Sequence, residues 1–125
     1  MTRFFFTTGA VLAGLAIAIG AATGHQPSTY DETIIIWLEK ATRYQFYHGL
    51  ALLGVAIALH IWKGQQTLLN LAGFCFIAGV LLFSGSLYLM AFSGISAGYI
   101  TPFGGMAFLA GWLAMALAGV KLSEY

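Results

Sequence analysis

The sequence predicts an all-α integral membrane protein. Its expected architecture is a four-helix bundle with a short interfacial amphipathic helix between helices 1 and 2. Two observations carry this reading. The first is where charge is missing. Five of the 125 residues are Lys or Arg and four are Asp or Glu, and none lies between Lys63 and Lys121. A second charge-free run separates Arg3 from Asp31. The second observation is bulk composition: 60% of residues are hydrophobic and 7% are charged. So few charges cannot cover a water-facing surface, so much of the surface faces lipid.

A hydrocarbon core of about 30 Å takes roughly 20 helical residues to cross. The first expected span is about 4–22. We read it as a transmembrane helix rather than a cleaved signal, although Arg3 followed by an apolar run and Ala21-Ala22-Thr23-Gly24 resembles one. Small residues stand at helical spacing in two stripes, Ala10/Gly14/Ala18/Ala22 and Gly9/Ala13/Gly20/Gly24. Lipid tails do not drive helices together, but close approach at small residues does. Both stripes are therefore expected to pack against neighbours.

Next comes His25-Gln26-Pro27-Ser28, which is turn chemistry, then Thr29 and Glu32 at capping-box spacing. Ile34, Trp37, Leu38 and Ala41 follow on one face, with Asp31, Glu32, Glu39 and Lys40 as polar company. This stretch, about 30–42, is expected to lie at the membrane surface. The second span, about 44–61, ends at Trp62-Lys63, an interface anchor, and a polar turn leads into the third, about 67–92. Residues 92–105 hold Pro102 and several glycines and must turn. The fourth span, about 103–120, again carries small residues at packing spacing, Ala107/Gly111 and Ala110/Ala114/Ala118. The whole chain, 1–125, forms one domain.

Four spans place both termini on one side. Arg3, Lys63 and Lys121 share that side, against Lys40 and Arg43 on the other. The positive-inside rule puts the termini in the cytoplasm.

Three runs resemble a known family: Arg43-Tyr44-Gln45-Phe46-Tyr47-His48-Gly49-Leu50, Phe83-Ser84-Gly85-Ser86-Leu87-Tyr88, and Ile100-Thr101-Pro102-Phe103-Gly104-Gly105 followed by Ala110-Gly111-Trp112. The family comprises small four-helix membrane proteins of bacteria and mitochondria, including the bacterial YgdD and YwdK proteins and human transmembrane protein 256. The resemblance spans nearly the whole chain and implies the four-span topology. It implies no activity, since the family is catalogued as a domain of unknown function. Members usually carry Gly-Ala-His-Ala/Gly-Leu after the first helix. Here the text reads Thr23-Gly24-His25-Gln26-Pro27, which keeps the histidine and changes its flanks. We expect a bacterial inner membrane rather than a mitochondrial one.

The candidate site is a polar cluster. Tyr44 and His48, and Gln45 and His48, share a helix face, with Arg43 and Tyr47 alongside. Helix alternation brings Ser84, Ser86, Tyr88 and Thr101 to the same membrane face, with His25 as a peripheral candidate. One reading is a hydrogen-bond network pinning helix ends; the other is a polar pocket for a lipid headgroup or quinone. His48 and His60 lie twelve positions apart, roughly 18 Å along a helix, too far to share one iron. No metal site, cofactor or nucleophile–base–acid set is expected, so no enzyme is expected. A net charge of +1 without a basic patch excludes nucleic acid as a partner. The expected protein is non-catalytic, an accessory or assembly subunit of a membrane complex or a small oligomer. Its partners are membrane lipids and another membrane protein or a second copy. The alternative is a lipid- or quinone-binding protein that uses the face around Arg43, Gln45 and His48.

Overall fold

The computed structural model describes residues 1–24 and 30–122. Its helices are α1 (Thr2–Gly24), α2 (Glu32–Ile61), α3 (Gln66–Ser93) and α4 (Thr101–Lys121). All four are long and apolar enough to cross a membrane, and no strand occurs among the described residues. The expected spans at 4–22, 67–92 and 103–120 lie within α1, α3 and α4. His25 and the Thr29 half of the expected capping box lie outside the described residues.

One expectation is corrected. The stretch 30–42 is not a separate surface helix; it forms the first turns of a 30-residue α2. Asp31 caps that helix, its carboxylate accepting the Ile34 N–H at 2.9 Å. Nothing between Glu32 and Tyr44 breaks a helix: no Pro or Gly is present, and the Thr42 hydroxyl donates back to the Leu38 carbonyl at 2.9 Å. Leu38 and Ala41 are buried, so this segment stands in the bundle instead of lying across it. The charges suggested a surface position, but they occupy only the outward face of an upright helix.

α3 is also composite. It is α-helical to Gly79, makes a π-helical turn at Val80–Ser84, and resumes as α-helix from Gly85. The Gly85 N–H reaches the Val80 carbonyl, a five-residue step. Buried positions run through Leu69, Ala72, Phe76 and Val80, and then resume at Ser84, Leu87 and Ala91. The wide turn keeps the inward face continuous across this point. α3 stops at Gly94, whose φ of 73° is natural only for a residue without Cβ.

Packing is decided by glycine. α1 and α2 touch where Gly9 meets Gly49: a Cβ on Gly9 would lie 2.6 Å from the Gly49 carbonyl oxygen. α3 and α4 interlock ring against glycine at two points, Phe76 on Gly111 and Phe108 on Gly79, and the Phe83 backbone itself comes close to Gly104. The Phe5 ring on Gly73 seats α1 against α3. The inward stripe of α1 is thus Phe5, Gly9, Ala13 and Ala16. The other small stripe does not pack as expected: Ala10, Gly14, Ala18 and Ala22 are all exposed, and nothing lies within 4 Å of a Cβ on Gly14. α1 turns Gly9 and Ala13 toward Gly49 of α2 and the Phe5 ring toward Gly73 of α3, so the Ala10/Gly14/Ala18/Ala22 stripe is left outward among the exposed Phe6, Val11 and Ile17.

Candidate functional site

Three contacts fix the level of each residue in the bundle. Gly9 faces Gly49, the Ser84 hydroxyl donates to the Ala41 carbonyl at 2.7 Å, and Gln66 Nε2 donates to the Leu59 carbonyl at 3.1 Å. Gln45 stands 13 residues from the start of α2 and 16 from its end, about 20 Å and about 24 Å away. The cluster expected at a membrane face therefore lies halfway through the bundle. The reason is the corrected α2, which begins a dozen residues earlier than its apolar run.

At this level polar groups are costly unless partnered, and they are partnered. Gln45, 3% exposed, donates from Nε2 to the Leu12 carbonyl at 2.8 Å and accepts the Tyr88 hydroxyl at 2.7 Å. One amide thereby joins α1, α2 and α3. His48, also 3% exposed, has Nδ1 2.7 Å from the Tyr44 carbonyl. A carbonyl only accepts, so the proton sits on Nδ1 and Nε2 is a bare acceptor. The Trp112 indole N–H points at Nε2 from 3.1 Å. Both ring nitrogens of a neutral imidazole are thus used. The ring stacks on Phe108 at 3.6 Å and 7°.

The remaining hydroxyls bond elsewhere. Ser86 gives its proton to the Phe83 carbonyl at 2.9 Å, so Thr101 donates to Ser86 Oγ across 2.6 Å and ties α3 to the start of α4. Ser84 holds α3 to α2. The structure therefore joins Gln45 to Tyr88 and Ser86 to Thr101, while Ser84, Ser86 and Thr101 bond away from His48. Sequence reasoning missed three essential partners. The Leu12 and Ala41 carbonyls leave no trace in side-chain identity. Trp112, an indole within a helix of small residues, was the legible clue.

Arg43 and Tyr47 stand apart from this network, exposed on the outward face of α2. Counting from Gly9–Gly49 and Ser84–Ala41, Arg43 is level with Leu15 of α1 and Leu82 of α3. Leu15 precedes Gly24 by nine residues and Leu82 precedes Ser93 by eleven, so Arg43 lies about 13–16 Å below that end of the bundle. A charge near mid-bilayer costs about 2.5–3.5 kcal/mol on insertion scales. Beside it an aromatic groove of about 540 Å³ opens between α2 and α4, lined by Tyr44, Tyr47, His48, Phe83, Phe108 and Trp112. Among the described residues no three His, Cys, Asp or Glu side chains converge.

These features define a small integral membrane protein of four spanning helices whose mid-bundle polar side chains are paired with one another and with backbone carbonyls, while the buried Asn70 Oδ1 in α3 has no partner among the described residues. The chain belongs to the family described as "Protein of unknown function (DUF423)", which matches residues 18–105. It is 39% identical to the UPF0382 membrane protein SAB0533 of Staphylococcus aureus, over 97% of this chain and 98% of that one. It is 37% identical to the UPF0382 membrane protein YwdK of Bacillus subtilis, over 95% and 98%. To the UPF0382 inner membrane protein YgdD of Escherichia coli K12 it is 34% identical, over 98% and 94%. No solved structure matches the chain.

Proposed function

We propose that this protein is a non-catalytic component of a bacterial inner membrane that works through lateral contacts with other protein, as an accessory or assembly subunit or as a small oligomer. One observation carries the reading. Gln45, His48, Ser84, Ser86, Tyr88 and Thr101 spend their hydrogen-bonding groups inside the bundle. Arg43, by contrast, turns its charge outward, exposed on α2 alongside apolar stretches of α1 and α3. A group so placed is stabilised by a protein partner that brings an acceptor to the same level. The similarity to YgdD, named an inner membrane protein, supports the compartment. The test is native mass spectrometry of the full chain extracted from its own membrane in mild detergent. A reproducible protein partner or a second copy is expected, and a bare monomer would overturn the reading.

The aromatic groove beside His48 favours a second reading, a lipid or quinone held between α2 and α4. Flat rings suit stacking against Phe108 and Trp112. The same spectra separate the two, because this reading requires a stoichiometric small molecule that Trp112→Ala releases.

A further inference from the structure

The outward face of α2 carries opposite charges one helical turn apart: Glu39 and Arg43 are both exposed, with Tyr47 a turn further on. Both charges lie beside apolar stretches of α1 and α3 rather than beyond the helix ends. We propose that a second copy of this chain docks on this face, with Arg43 of each copy bonded to Glu39 of the other about a two-fold axis along the membrane normal. The proposal deepens the small-oligomer form of the function above and rests on it.

Three observations point to a second copy. The first is self-complementarity. A two-fold contact brings one patch against itself, so each charge needs its opposite on that same patch. Glu39 stands four residues above Arg43, about 6 Å along the helix. An arginine side chain spans that distance, and its planar fork matches a carboxylate with two bonds. Two-fold symmetry makes the pair twice. The second is depth. A phospholipid headgroup sits at the interface, well above Arg43, and acyl tails offer no acceptor. Lys40 is one turn nearer the end and reaches the headgroups by snorkelling, so it need not enter the contact. The third is spacing. Ile36, Arg43, Leu50 and Ile57 recur every seven residues and are all exposed. Seven residues is the repeat of a left-handed seam between two parallel helices.

Charge reversal in two differently tagged full-length chains tests this in lipid nanodiscs. The wild type is expected to dimerise. Glu39→Arg gives two cations on the patch and Arg43→Glu gives two anions, so each alone should self-associate at least tenfold more weakly. Co-expressed, the two variants should pair with each other at least tenfold more than either pairs with itself, because both cross-pairs are restored. Leu50→Cys in a Cys75→Ser background supplies a readout without charge reversal: oxidant should crosslink it into dimers, while Ala10→Cys on the outward face of α1 should stay monomeric. Equal self-pairing and cross-pairing, or no Leu50→Cys crosslink, would overturn the dimer. A wild-type monomer that retains a different protein refutes self-docking and leaves the lateral-contact function standing. A monomer that retains no protein refutes both.

Discussion

Gly9→Ala and Gly14→Ala are the same substitution, five residues apart on one helix, and should have opposite effects. Helix propensity favours Ala over Gly by about 0.5–1 kcal/mol at both sites, so it cancels in the comparison. What remains is packing. At Gly9 the new Cβ would sit 2.6 Å from the Gly49 carbonyl oxygen and 2.9 Å from Leu52 Cβ. The first contact is to backbone, which cannot swing aside, so α1 and α2 must separate. Overpacking of this kind costs about 1–3 kcal/mol. Separation also strains the nearby bond from Gln45 to the Leu12 carbonyl, 2.8 Å in the native bundle. At Gly14 the Cβ meets nothing within 4 Å. Gly9→Ala should therefore lie about 1–3 kcal/mol below Gly14→Ala, with Gly14→Ala at or slightly above wild type. Reversible unfolding in mixed micelles, followed by helical circular dichroism, measures both. Equal stability of the two variants would refute the assignment of the α1 faces.

Gln45→Leu should destabilise the bundle by about 1–3 kcal/mol, because it orphans the buried Leu12 carbonyl and Tyr88 hydroxyl. Adding Tyr88→Phe to it should cost less than Tyr88→Phe costs alone, a coupling that a double-mutant cycle reads directly. Ser84→Ala loses the bond to the Ala41 carbonyl and should cost about 0.5–1.5 kcal/mol in the same unfolding assay. Trp112→Phe keeps an aromatic ring against Phe76 but strips His48 Nε2 of its donor; nitrogen NMR of labelled histidine should show the His48 Nε2 resonance move while Nδ1 stays protonated. Cysteines placed at Thr2 and Lys121 should both label from the cytoplasmic side, and labelling from opposite sides would break the four-span topology.

The spans were legible because hydrophobic length is a one-dimensional property. Their ends in α1, α3 and α4 fall within a few residues of expectation. α2 was legible only in part. Asp31, Glu32, Glu39 and Lys40 mark a segment as polar, but composition does not say whether those charges ring a helix or occupy one side of it. The buried Leu38 and Ala41 settle that question, and Ser84 of α3 reaches the Ala41 carbonyl. The same error of position moved Gln45 and His48 from an end of the bundle to its middle. The identity of the polar residues was readable. Their partners were not, because the acceptors at Leu12, Ala41, Tyr44 and Phe83 are backbone carbonyls that any residue supplies. The packing face of α1 was ambiguous for a related reason: two stripes of small residues look alike in sequence, and only the approach of Gly9 and Ala13 to Gly49 tells them apart.

Gln45 and His48 also answer a problem set by the glycines. A helix pair that meets through Gly9, Ala13 and Gly49 is smooth, and smooth faces slide or rotate at little cost because adjacent registers bury similar area. Interior amides and imidazoles do not slide. Moving α1 by one turn, about 5.4 Å, would leave Gln45 Nε2 far from the Leu12 carbonyl, and no water is present at that depth to replace the bond. Rotating α4 would take Trp112 from His48. Glycine contacts thus supply closeness, and the mid-membrane hydrogen bonds select one register among the many that closeness permits, as a single polar residue does in a coiled-coil seam. This division of labour explains why a layer of hydrogen-bonding side chains lies in the middle of the bundle, where polarity is costly.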